Sequence, residues 1–375
     1  MSRIALANGR ALLPSGFSGD CVLIENGRIA AILPAPPADA EIVDLGGRML
    51  LPGFIDTQVN GGGGRLFNDD PSVDTLRVIA ETHRRYGTTA MLPTLISDDL
   101  SVVEAAIAAV DAAIEAGVPG LIGIHIEGPF LAPARKGIHP EGKLQPLRDE
   151  YLALLTSLRR GKTLVTLALE QATPDQIARL TAAGAIVAAG HSDAPYETVR
   201  LAIDAGLTGF THLFNAMSQL SGRAPGMVGA ALESDETFAG LIADGYHLHP
   251  ASLRAAYAAK GHERLMLVTD AMPSVGSDAP GFDLQGRFIR REGDRLVGED
   301  GTLAGSTLTM AGAVRGMMEQ GRVPIETAVT MASATPAAFL GLGDRGAIAP
   351  GMAADLLLAD QDLTIHASWI GGIRG

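Results

Sequence analysis

Cysteine is almost missing from this chain. Cys21 stands alone among 375 residues, which excludes an intramolecular disulfide and any zinc site built on several thiolates. Aromatic residues are nearly as scarce at 4%, so a core has to be assembled from Ala, Val, Ile and Leu. Positive charge is in deficit: 29 Lys and Arg face 42 Asp and Glu, for a formal net charge of -13. Sequence-independent binding to nucleic acid needs a basic field that displaces counterions, and none is available here. A small anion is still compatible, because one arginine or one helix N-terminus can hold a phosphate. Long apolar runs are lacking too. The opening segment "MSRIALANGRALLPSG" has no continuous apolar stretch of the kind a secretion signal needs, and no run reaches the length of a membrane span. The expectation is a soluble cytoplasmic protein with no nucleic-acid or membrane partner.

What is present points to an ordered core: 47% of residues are hydrophobic and only 19% charged. The first 50 or so residues read as short strands joined by turns. "CVLIENGRIAAIL" carries Asn26-Gly27 between two apolar runs, a hairpin signal, and "VDLGGRMLLPG" offers a Gly-Gly turn. Near the far end "GAIAPGMAADLLLAD" reads as strand, turn, strand. Two β-rich ends around a long middle predict a discontinuous small β-sandwich domain from residues 1–50 and 345–375. The middle, 51–344, behaves differently. Eight short apolar runs recur: "GFIDTQVN", "TTAMLPTL", "GLIGIHIEG", "TLVTLALE", "AIVAAGHS", "GFTHLFNA", "FAGLIADG" and "LMLVTDAM". Between them lie Ala-rich segments such as "TPDQIARLTAAG", with a capping residue at the start and Gly at the close. Such runs suit strands buried on both faces, as in parallel sheets. Eight strand–helix alternations predict an α/β fold, a (β/α)8 TIM-like barrel; a doubly wound open sheet is the alternative. The segment "FDLQGRFIRREGDRLVGEDGTLAGS" reads as a hairpin insertion after the eighth strand.

In such a barrel, chemistry collects where strands end and loops begin. The polar residues at those ends are Glu127, His191, His212, His247 and Asp270. Ionisable groups at the end of an apolar strand carry a desolvation cost that a bound cation would offset. One Glu and two His match the donor set of a catalytic divalent-metal site. Singly, each has a bland reading, a satisfied core histidine or a helix N-cap; together at one barrel mouth they favour chemistry. His125 lies two residues before Glu127 and faces the same side, either as a deeper ligand or, the preferred reading, as a partner behind the ligands. His83, His262 and His366 read as surface residues.

These stretches resemble the amidohydrolase superfamily and, within it, the deacetylases of N-acetylglucosamine 6-phosphate. "LPGFIDTQVNGGGG", "GIHIEGPFLAPARKGIHP", "AAGHSDA", "THLFNAMSQLSGRAPG", "ADGYHLHP", "VTDAMP" and "GTLAGSTLTM" carry the likeness over nearly the whole chain. The resemblance implies metal-dependent hydrolysis of the acetamide of a phosphorylated amino sugar, in amino-sugar catabolism. It implies Glu127, His191 and His212 as ligands of one divalent metal per subunit, zinc first, with iron, manganese and cobalt as alternatives. It makes Asp270 the catalytic acid–base and His247 a donor to the carbonyl oxygen or a sugar hydroxyl. Substrate contacts are implied at Ile138, His139, Asn215 and Ala216, at Asp244, Gly245, Tyr246 and His247, and at Leu303, Ala304 and Gly305. Arg223 is implied to reach the phosphate from the neighbouring subunit of a homodimer.

The first strand departs from many superfamily members. Where those place His-x-His for a second metal, this chain has Gln58 and Asn60. Amides are weak ligands for such ions, so one metal and an empty second seat are expected, with both amides serving as hydrogen-bonding groups. A dihydroorotase-like cyclic amidase is the rival within the superfamily, and a catalytically inactive binding homologue the rival outside it.

Overall fold

The computed structural model describes residues 3–375, so Met1 and Ser2 of the expected N-terminal domain lie outside the described residues. The eight apolar runs all become strands of a single sheet of eight, each parallel to the next. They span Phe54–Val59, Thr88–Ile96, Gly123–Glu127, Lys162–Leu167, Ile186–Ala189, Gly209–Phe210, Phe238–Leu241 and Leu265–Leu267. The second strand is buried along its whole length, which explains why its sequence shows no polar alternation. Helices return the chain between strands. Their starts follow the sequence signals: Ser72 Oγ accepts from the Thr75 amide, and Thr173 with Gln176 closes a reciprocal capping box.

Side chains help to close the ring between the eighth strand and the first. The Asp270 amide donates to the Gln58 carbonyl at 3.0 Å, and Val59 bridges Ala271. Beneath them Asp56 accepts from Thr269 Oγ1 at 2.5 Å and from the Gln58 amide at 3.1 Å. Burial pushes this carboxyl up to about 7, with Thr269 and the Gln58 amide pulling against it. The chain segment that carries Asp270 is therefore tied to the segment that carries Gln58 and Asn60.

N- and C-terminal strands share one six-stranded sheet, where Leu356–Ala359 pairs with Met49–Pro52. A four-stranded sheet built on Arg3–Ala7 and Cys21–Glu25 faces it, and Leu6, Val22, Leu50, Leu356 and Trp369 share one core between the two layers. That is the expected sandwich, and Asn26-Gly27 makes its hairpin turn with both residues at positive φ. "GAIA" forms no strand, however; residues 346–352 run as bends, coil and turns, Ala353 makes an isolated bridge to Arg28, and strand pairing resumes at Leu356. The insertion is larger than a hairpin, a meander of four strands from Gly281 to Ser306.

His83 corrects one expectation. It is fully buried, not on the surface. It shares the inner face of helix Val73–Arg84 with Leu76, Ile79 and Ala80, and its Nε2 donates to the Gly61 carbonyl at 2.9 Å. Burial drives it down to about 4. His366 is exposed and pairs with Asp360 at 2.6 Å, while His262 is half-buried in the turn after helix Pro250–Lys260.

No helix is long and apolar enough to cross a membrane among the described residues.

Candidate active site

Glu127 ends the third barrel strand, while His191, His212 and Asp270 stand two or three residues past the fifth, sixth and eighth. They open onto one cavity of about 380 Å³, which His139 and His247 also line. Three of these residues have backbones in the left-handed region: φ is 51° at His191, 34° at His212 and 51° at Asp270. Non-glycine residues adopt that conformation at a cost, and such strain concentrates where side chains are aimed for function.

Three donor atoms meet at the cavity floor. Glu127 Oε1 lies 3.2 Å from His191 Nε2 and 3.1 Å from His212 Nε2, and the two nitrogens are 3.0 Å apart. His191 donates from Nδ1 to the Arg135 carbonyl at 2.8 Å, so its Nε2 presents a lone pair in the neutral ring. These separations approach the edges of about 3.3 Å that a tetrahedral ion with bonds of about 2.0–2.1 Å would impose. The donor set of carboxylate and two imidazoles therefore fits a divalent metal. Burial works against charge on Glu127, but its contacts with His191 and His212 hold it well below the usual carboxylate range. Burial likewise opposes charge on His212, yet its bond to Glu127 raises it. His212 Nδ1 is buried without a partner among the described residues.

His139 reaches the same spot, forming with Glu127 and His191 a group whose ligand-type atoms lie within 4.8 Å of one another. Its tautomer argues for a different part. The Ser97 amide donates to His139 Nδ1 at 3.2 Å, with Ser97 Oγ at 2.8 Å from the same nitrogen. A backbone N–H can only donate, so Nδ1 keeps its lone pair and the single proton of the neutral ring sits on Nε2. Burial, reinforced by His191, pushes this histidine down to about 3 and keeps it neutral. It is thus a hydrogen-bond donor towards the cavity.

Across the mouth, the amides surround Asp270. Asn60 Nδ2 donates to Asp270 Oδ1 at 2.7 Å, and Gln58 Nε2 to the same oxygen at 3.1 Å. Gln58 also approaches Glu127 Oε1 at 3.2 Å, placing one amide between the two carboxylates. Burial and the nearby Glu127 charge raise Asp270 to about 6, against the pull of His212, His247 and Asn60. The glycines after Asn60 turn a tight hairpin, where a Cβ on Gly61 would sit 2.3 Å from the Arg65 carbonyl and one on Gly62 2.9 Å from His83 Nε2. Close approach, not loose linkage, is what that run supplies.

Of the remaining expected residues, Ile138, Asn215, Ala216, Leu303 and Gly305 line the cavity. His247 donates from Nδ1 to Asp244 Oδ2 at 2.7 Å, leaving Nε2 for the cavity. Burial opposes charge on Asp244, but His247 holds it below its ordinary value. Ala304 is packed in the core of the insertion, while Asp244, Gly245 and the exposed Tyr246 do not line the cavity. Arg223 is exposed on the loop before helix Gly226–Glu233 and does not line this chain's cavity. His125 sits below the cluster, bound to Thr166 Oγ1 at 2.7 Å and Thr94 Oγ1 at 3.2 Å. Sequence reading missed Ser97, although its place directly after the apolar second strand gives the same signal as the others. It also missed Arg135, whose carbonyl orients His191.

Comparison with known proteins agrees with this geometry. The model of the amidohydrolase family matches residues 49–374. The chain is 50% identical over 323 residues, 86% of its length and 82% of the relative's, to an N-acetylgalactosamine-6-phosphate deacetylase of Shewanella sp. (strain ANA-3). Its structure superposes on the crystal structure of N-acetylglucosamine-6-phosphate deacetylase from Pasteurella multocida with a TM-score of 0.96 at 32% identity, covering 100% and 99% of the two chains. A mutant of the Mycobacterium smegmatis N-acetyl-D-glucosamine-6-phosphate deacetylase, solved in complex with N-acetyl-D-glucosamine-6-phosphate, gives a TM-score of 0.90 at 31% identity over 100% and 98%. The chain belongs to the amidohydrolase family.

Proposed function

We propose that this chain hydrolyses the acetamide of N-acetylglucosamine 6-phosphate, releasing acetate and glucosamine 6-phosphate. The observation that carries this reading is the convergence of Glu127, His191 and His212 on one point, beside a carboxylate held by two amides. Glu127, His191 and His212 would hold the metal, zinc in the first instance. A divalent cation there supplies Lewis acidity, which can lower the pKa of water towards about 7. Asp270 takes the proton from water as the oxygen attacks the acetyl carbon, then delivers it to the nitrogen as the C–N bond breaks. With Oδ1 bound by Asn60 and Gln58, Oδ2 is the oxygen that carries the proton. His247 and His139 orient the acetamide and sugar from the cavity wall, and the remote phosphate supplies binding energy that fixes the amide in place.

For the phosphate we keep Arg223, contributed by the partner subunit of a homodimer; its exposure beside the half-exposed Leu220 is compatible with a subunit contact. The Arg223→Ala variant should raise KM for the phosphorylated sugar about tenfold or more, the weight of a charge-assisted bond, and barely change it for the unphosphorylated sugar. We divide the chain into a sandwich of 1–50 and 345–375 and a barrel of 51–344. Cytoplasmic residence suits a substrate whose charge prevents it from crossing a bilayer.

The galactosamine epimer is a second reading, favoured by the 50% identity to an enzyme named for it. Acetate release measured on both 6-phosphates, side by side, tests the proposal. Turnover of the glucosamine compound supports it, turnover of the galactosamine compound alone moves it to the second reading, and release from neither sinks both.

A further inference from the structure

The four-stranded insertion enters the site through Leu303 and Gly305 on its last strand, but its tip makes separate contacts. At the turn between its first two strands, Gln285 takes φ 50°. Its Nε2 donates to the Ser97 carbonyl at 3.1 Å and to Asp98 Oδ2 at 2.9 Å. Two residues on, the Arg287 guanidinium donates to the carbonyl of Ile138. These acceptors flank one hydrogen-bonded pair, because Ser97 and His139 are the residues joined through His139 Nδ1. Apolar packing seats the tip: Leu284, Ile289 and Leu296 share a small core with Ile96, and Ile138 packs against it.

We propose that Gln285 and Arg287 are positioning residues, which lock the Ser97–His139 pair so that His139 presents Nε2–H to the cavity. The Ser97 N–H dictates the tautomer only while it points at Nδ1. Once that alignment is lost, Ser97 Oγ can accept from an Nδ1–H instead, and Nε2 becomes a lone pair. His139 would then be a competing ligand, since it already lies within 4.8 Å of the Glu127 and His191 donor atoms. The insertion thus keeps a donor from becoming a ligand. The effect on turnover rests on the deacetylase reading; the tautomer does not.

The test uses the full-length zinc-loaded chain labelled with 15N-histidine, with the His139 signals assigned by their loss in His139→Gln. Imidazole 15N shifts distinguish a protonated nitrogen from an unprotonated one. The wild type should show protonated Nε2 and bare Nδ1. Gln285→Glu, which keeps the shape but loses both donors, and Arg287→Ala should show a mixed or reversed pattern. Arg287→Lys, which retains a donor, should restore the wild-type pattern. KM should rise about tenfold in the first two variants and kcat should fall with it, zinc content unchanged, because His139 loses its donor and becomes a competing ligand. A wild-type 15N pattern in both variants, or an altered pattern with unchanged KM, overturns the proposal. If the wild type releases no acetate, the deacetylase reading fails while the 15N pattern still decides whether the tip sets the tautomer.

Discussion

The two halves of the barrel mouth are built from opposite chemistry. On one side a Glu127 oxygen and the Nε2 atoms of His191 and His212 meet at a common point. On the other, Gln58 and Asn60 turn N–H groups towards Asp270. The first half is a seat for a cation, the second a seat for a carboxylate. Gln-x-Asn on the first strand offers amides in place of strong metal ligands, and those amides clamp Asp270. On the proposed reading, a single metal and a fixed Asp270 would both follow from this one pair of residues.

The largest expected effect comes from emptying the second half. In Asp270→Asn kcat should fall by about 10²–10⁴-fold, the usual weight of general acid–base catalysis, with metal content unchanged. Loss of metal in that variant would blur the division between halves. A smaller effect is expected from Asn60→Leu, which removes the 2.7 Å donor to Asp270. kcat should drop about tenfold, in line with a hydrogen bond to a charged group. Because Asn60 favours the ionised carboxylate, the acid limb of the pH–rate profile should move to higher pH. An unshifted limb would separate Asn60 from the titration of Asp270.

The smallest effect tests the scaffold behind the clamp. His83 holds the Gly61 carbonyl and is neutral when folded, down at about 4 against 6.5 for a free histidine. Between those values the unfolded chain binds the extra proton, so stability is lost as pH falls from about 6.5 towards about 4, by at most roughly 3 kcal/mol. His83→Gln, which keeps a donor, should flatten the fall of the thermal midpoint over that range. An unchanged slope would show that other groups govern it; His125, also pushed down by burial to about 4, is the first of them.

Much of this was legible in the sequence. The barrel strands stood out because strands buried on both faces leave unbroken apolar runs, and a polar residue at the end of such a run is conspicuous. The burial of His83 was legible as well, through its helical spacing from Leu76, Ile79 and Ala80, yet a histidine beside Arg84 and Arg85 looks like the polar end of a helix. "GAIA" looked like a strand because it is apolar, but that apolarity serves burial without pairing, with Ile348 packed in the sandwich core. Two features had no sequence signal at all. The left-handed backbones of His191, His212 and Asp270 arise from tertiary aim, and the His139 tautomer depends on an amide contributed by a distant strand.

The central claim is most directly tested by stripping the protein of metal, refilling it with zinc, and counting ions per chain alongside acetate release from N-acetylglucosamine 6-phosphate. The division of the mouth predicts that release is restored in full at about one tightly held zinc per chain. Two tightly held ions per chain, or undiminished release from the metal-free protein, would contradict it.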